Sequence, residues 1–142
     1  MRRRRSRRRG SAIVEFALCS TVLILMAVGG TDLARVFSLA TSLTQAAKAA
    51  AQFASYSTQN AGNGTGITAA AQAAAPGVSM TVTTSRTCYC GATAATCGSS
   101  GCSTPLAMYT QVKADSTYNA FLPFWGSSTT IPVAGTAVIR VK

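Results

Sequence analysis

Histidine is absent from all 142 residues, and the acids number three: Glu15, Asp32 and Asp115. General acid–base catalysis needs groups poised near neutrality or carboxylates with separated pKa values, and this chain has almost nothing to make them from. It also lacks a nucleophile elbow and a phosphate-binding loop. Aromatic residues are 7% of the chain and charged residues 11%. These absences exclude most enzyme classes, so a non-catalytic protein without catalytic residues, cofactor or metal is expected. The length leaves room for one modest domain, and for less once any targeting or membrane segment is set aside.

What charge there is lies mostly at one end. Seven of the thirteen basic residues fall within MRRRRSRRRG, and the other six face three acids, a net of +3 for the remainder. An arginine run can grip nucleic-acid phosphates. Here, however, the arginines lead directly into SAIVEFALCSTVLILMAVGG. Basic residues abutting an apolar segment stay on the cytoplasmic side of a membrane and orient it, so no nucleic-acid partner is expected.

Between Ser11 and Thr31, Glu15 is the only charge. About 20 helical residues at 1.5 Å each cover a hydrocarbon core of roughly 30 Å, so this segment can span. Residues 16–28 also fit the length of a signal-peptide core, with Ala27-Val28-Gly29 as a small-x-small cleavage site. Glu15 argues against that alternative. A lone carboxylate in an apolar helix costs about 2.5 kcal/mol or more, which favours either a partner for it or a place at headgroup level.

Gly10, Ser11, Glu15 and Phe16 stand in the order of a type IV prepilin leader: glycine before the cut, and glutamate at the fifth mature position. The SAIVEFAL segment, the apolar run and Gly30-Thr31-Asp32-Leu33-Ala34-Arg35 together resemble the TadE-like proteins, pseudopilins of the tight-adherence (Flp) pilus. The likeness covers residues 10–56, with a weaker echo at 136–141. It implies cleavage between Gly10 and Ser11 by a prepilin peptidase. It further implies pairing of Glu15 with the new N-terminal ammonium, and association with other pilins or pseudopilins and their assembly machinery. The implied location is the bacterial inner membrane, crossed once, with a cytoplasmic N-terminus, a periplasmic C-terminal domain and a route into an extracellular pilus. One departure is that Cys19-Ser20-Thr21 stands where many relatives carry a proline, about six residues after the glutamate, so no kink is assumed. The resemblance also takes in Asp32 and Arg35, whose i, i+3 spacing reads either as a surface pair or as a packing or partner motif.

Beyond Arg35 the pattern stays helical. Leu33, Val36, Ala40, Leu43, Ala47, Ala50 and Ala54 form a seam at alternating three- and four-residue spacing, expected to cover the chain's own domain. Residues 60–66, rich in Asn and Gly, read as a loop, and a short helix follows over 69–75 until Pro76-Gly77. Val78, Met80 and Val82 alternate with polar neighbours as a first strand. A second is expected over 108–118, with Met108, Val112, Ala114 and Tyr118 on one face. In the third, Ile131, Val133, Ala137, Ile139 and Val141 share a face, with Pro132 suggesting an edge or an early strand position and Gly135 a bulge. Phe121, Leu122, Pro123, Phe124 and Trp125 read as a cap on the core.

Cys88, Cys90, Cys97 and Cys102 lie in one Gly/Ser/Thr-rich loop, and Cys19, in the apolar segment, reads as a small buried residue. An even set in a small exported domain points to two disulfides; three pairings are open, and Cys88 with Cys90 is the most strained of the partners. Zinc is the alternative for four thiolates. The spacing lacks the usual paired C-x2-C hooks and export favours oxidation, so no metal is expected. The reading is then an α+β protein of four parts. Residues 1–10 are a basic prepilin-type leader, 11–31 a transmembrane helix and 32–57 its extramembrane continuation. Residues 58–142 form a small disulfide-stapled domain with a roughly three-stranded antiparallel sheet and a cysteine-rich loop.

Overall fold

The computed structural model describes residues 5–98, 102, 105–124 and 128–142, with side chains from residue 12 onward and, in the last hairpin, outside 122–124 and 128. Helix α1 (Arg5–Ser55) is 51 residues long, roughly 76 Å at 1.5 Å per residue. It contains the described chain's candidate membrane span, a helix long and apolar enough to cross a bilayer. In its first half Ile13, Phe16, Leu18, Leu23 and Met26 are all exposed. Cys19 is exposed as well, which corrects its reading as buried, because no described residue packs over it.

Cover on α1 begins at Val28 and Gly29, which are half-buried, and Asp32 is the first residue buried outright. Leu43, Ala46, Ala47, Ala50, Ala51 and Ala54 are buried, with Val36, Leu39 and Ala40 packed beside them. The seam thus covers the chain's own domain, although Leu33 drops out of it at 52% exposed. Asp32 takes the inward direction one residue earlier.

Two short helices follow, α2 (Thr58–Gly62) and α3 (Gly64–Ala74), where the Asn/Gly-rich composition had suggested a loop over 60–66. Local caps explain the difference. Ser57 Oγ accepts from the Asn60 N–H at 3.1 Å and Asn63 Oδ1 accepts from the Gly66 N–H at 3.0 Å, each satisfying an orphan donor at a helix start. Burial of Ala61, Ile67 and Ala71 against the α1 alanines outweighs the low helix propensity of Asn and Gly.

The sheet holds four antiparallel strands in the order β2-β1-β3-β4: β1 (Thr81–Cys90), β2 (Thr93–Ala95), β3 (Leu106–Phe124) and β4 (Ser128–Arg140). The extra strand beyond the three expected is β2, three residues inside the cysteine loop that pair with the end of β1. The long β3–β4 hairpin places Val112, Ala114, Val133, Ala137 and Val141 on the face toward α1, as their alternation requires. Pro132 lies on β4, an edge strand, the place in a sheet where a residue without an N–H is tolerated.

Gly135 is not at a bulge. It pairs in regular register with Ala114, and the register shift falls farther along, between Asn119 and Phe124. A Cβ on Gly135 would run into the backbone of Leu43 and Thr44, so the glycine marks where helix and sheet backbones meet. At the far end, Lys142 N–H donates to Ser55 O at 3.0 Å and Val141 N–H to Met108 O at 2.8 Å. These bonds tie the start of β3 to the C-terminal end of α1, and β3 then runs back along the helix toward Asp32.

Candidate functional site

Three places carry the residues singled out from the sequence. The first is the N-terminal part of α1. Gly10, Ser11, Glu15 and Phe16 all lie within the helix, so residues 11 and 15 are one turn apart, about 6 Å along the axis. A new ammonium on Ser11 would be within a side chain's reach of the Glu15 carboxylate. Glu15 is exposed and has no hydrogen-bond or ion-pair partner among the described residues, and Phe16 beside it is 75% exposed. These residues therefore form no closed site within the chain; they stand on a bare apolar helix, open to lipid or to another subunit.

The second place is where the apolar half of α1 meets the folded domain. Asp32 is fully buried. Its Oδ1 accepts from the Tyr118 hydroxyl at 2.8 Å and its Oδ2 from the Phe121 N–H at 3.0 Å, so one carboxylate holds the far end of β3 at two points. Charge-assisted bonds of this kind are worth about 1.5–3 kcal/mol each. Of the two readings open for Asp32 and Arg35, burial of the aspartate favours the packing motif: Asp32 turns inward under the strand while Arg35 stays exposed, its guanidinium 5.1 Å from the centre of the Phe121 ring. Burial, and then the bond to Asp32, push the Tyr118 phenol above its ordinary pKa, against an opposing pull from Arg35.

Phe121 itself is 68% exposed, which corrects its assignment to a core cap. The strand has passed the end of β1 at this point, where Thr81 pairs with Asp115, and continues in the hairpin with β4. Trp125 lies outside the described residues. The alternation of β3 puts Tyr118 on the inner face but does not disclose its bond to Asp32. The available signal was a phenol at the end of an inward-facing series, which needs a polar partner when covered.

The third place is the cysteine loop. Cys88 and Cys90 lie two residues apart on β1 and so point to one face of it. They pair with Cys97 and Cys102 respectively, at Cα–Cα separations of 5.2 and 5.6 Å, within the disulfide range. Of the three pairings open in the sequence, the fold selects the interleaved one, and both bridges tie the loop that carries β2 back to the end of β1. On the opposite face Tyr89 and Tyr109 meet edge to face, ring centres 5.8 Å apart.

Residues 10–52 match the family described as TadE-like protein. The match takes in Gly10, Glu15, Asp32 and Arg35 together with the alanine face of α1, and ends before α2. No curated protein and no solved structure matches the chain.

Proposed function

We propose that the chain is a TadE-like pseudopilin, a non-catalytic subunit that takes part in assembling a tight-adherence pilus used for surface attachment. The observation that carries this reading is the family match over residues 10–52, laid on a helix whose first half is apolar, uncovered and interrupted by a single acid. In this reading a prepilin peptidase cuts between Gly10 and Ser11. The basic leader holds the N-terminus in the cytoplasm, residues 11–31 cross the inner membrane once, and the disulfide-stapled domain stands in the periplasm.

Glu15 has a specific role in this reading. In a lone apolar helix its carboxylate opposes insertion. Paired with the ammonium of Ser11, on the same subunit or on a neighbour, the two charges relieve one another's desolvation and make assembly depend on cleavage. Glu15→Gln is therefore expected to insert as well as the parent or better and to fail in association. Membrane-fraction abundance, measured beside co-purification with other pilus components, reads both effects. Undiminished association and surface attachment by Glu15→Gln would make the protein a membrane-anchored periplasmic protein without a filament role.

A further inference from the structure

The outer face of the sheet, turned away from α1, is polar along its middle, where Thr83 and Ser85 on β1, Gln111 and Lys113 on β3 and Thr136 on β4 are all exposed. At the end that carries the disulfides its character changes. There Thr87, Tyr89, Tyr109 and Val138 line a shallow, open depression of about 490 Å³, bounded by the Gly91-Ala92 turn between β1 and β2. Val138 is 62% exposed and both tyrosines are half-buried.

Strand register brings the two rings together. Tyr89 pairs with Ala107 and Tyr109 with Thr87, so the tyrosines lie diagonally across β1 and β3, ring centres 5.8 Å apart and planes at 81°. One ring gives its edge to this contact, so its faces are not used in it. Tyr89 also stands between Cys88 and Cys90, each bridged into the loop that follows, so the strand beneath the depression is braced on both sides of the ring. Such bracing lowers the ordering cost of binding.

The polar groups narrow what the depression can take. Thr87, Tyr89 and Tyr109 bring three hydroxyls, each both donor and acceptor, and none is hydrogen-bonded to a described residue. No charged side chain lines it. Lys113 is paired with Asp115 at 2.7 Å, and Arg140, across from Tyr109 in register, stands outside the lining. A charged ligand would lose water there without gaining a counter-charge, and a wholly apolar one would leave the hydroxyls without partners. A pyranose sugar meets both demands. It has an apolar C–H face to lay on a tyrosine ring and a rim of hydroxyls that donate and accept in turn.

We propose that the Tyr89–Tyr109 corner is a binding site for uncharged pyranose oligosaccharides. Tyr89 and Tyr109 supply the stacking surface, and their phenols and the Thr87 hydroxyl bond the sugar's rim. All of these residues lie beyond the family match at 10–52, so the inference is independent of the pilin reading.

The test uses the full chain in a zwitterionic detergent without a sugar headgroup, mixed with cellohexaose, chitohexaose or mannohexaose. Each is present at about 10 mM, enough to populate a site with a dissociation constant of ~1 mM. Saturation of the protein's aromatic protons is expected to pass to the ring C–H protons of at least one of these oligosaccharides. Tyr109→Phe, which keeps the ring and removes a hydroxyl, should weaken binding about two- to tenfold. Val138→Glu, at an exposed position in the lining, should abolish it with the near-ultraviolet circular dichroism of the domain retained. Tyr56→Ala, at an exposed tyrosine at the end of α1, should leave it unchanged. Absence of transfer to all three oligosaccharides would overturn the proposal, as would transfer that survives Val138→Glu or falls equally in Tyr56→Ala. Binding of hexagalacturonate alone, lost on adding salt, would move the contact to the charge of Arg140 and overturn the assignment to an uncharged sugar.

Discussion

Replacing Asp32 with alanine separates the buried anchor from the surface pair that its spacing to Arg35 suggests. At stake are the bonds from the Tyr118 hydroxyl at 2.8 Å and the Phe121 N–H at 3.0 Å. At about 1.5–3 kcal/mol for each bond to a charged acceptor, losing both costs about 3–6 kcal/mol. The variant also releases the desolvation cost of a fully buried carboxylate, which brings the expected net loss to about 2–4 kcal/mol. Against a total of about 5–15 kcal/mol for a domain, that is a large share. Asp32→Asn keeps one acceptor and turns an amide donor toward another donor, so about 1–3 kcal/mol is expected. The assay is denaturant unfolding of the full chain in detergent micelles followed by near-ultraviolet circular dichroism, because the long α1 dominates the far-ultraviolet signal. In a Tyr118→Phe background the Asp32→Ala loss should shrink by about 1 kcal/mol, the coupling of residues that share a bond. A loss below about 0.5 kcal/mol for Asp32→Ala, the scale of an exposed pair, would refute the anchor.

Gly135→Ala should cost about 1–3 kcal/mol or more, since its Cβ meets the backbone of Leu43 and Thr44, which cannot rotate aside. Ala134→Ser, at an exposed neighbour on the opposite face, should stay within about 0.5 kcal/mol by the same unfolding assay. Tyr118 gives a pH dependence whose sign follows from its raised pKa. The neutral phenol is the favoured form, so its contribution is full below the ordinary tyrosine value of about 10 and is lost as pH rises through the higher folded value. Absorbance titration of the four tyrosines should show one late phenolate that is missing in Tyr118→Phe.

Periodicity carried most of the fold. The long helix and the faces of β3 and β4 follow from spacings of three to four or of two residues, which any buried face must show. The same patterns misread residues 60–66, because two side-chain caps and the packing of Ile67 outweighed an Asn/Gly-rich composition. They misread Gly135 because a glycine inside a strand has two meanings, bulge or close backbone approach, and only the position of α1 distinguishes them. Asp32 was legible as a motif member but not as an anchor, since its partners Tyr118 and Phe121 lie 86 and 89 residues away and local spacing carries no trace of them. The disulfide connectivity was hidden for a similar reason: which sulfurs meet depends on where β1 and the loop after it turn.

The N-terminal residue and intact mass of protein extracted from its native membrane test the central claim most directly. A pilin-like subunit processed at its leader must begin at Ser11, with the seven leader arginines gone and Glu15 at the fifth position. A chain that still begins at Met1, or that has been cut at Gly30 or beyond, would contradict the account: the first is an uncleaved anchor, and the second a secreted protein that has lost the helix on which assembly is proposed to depend.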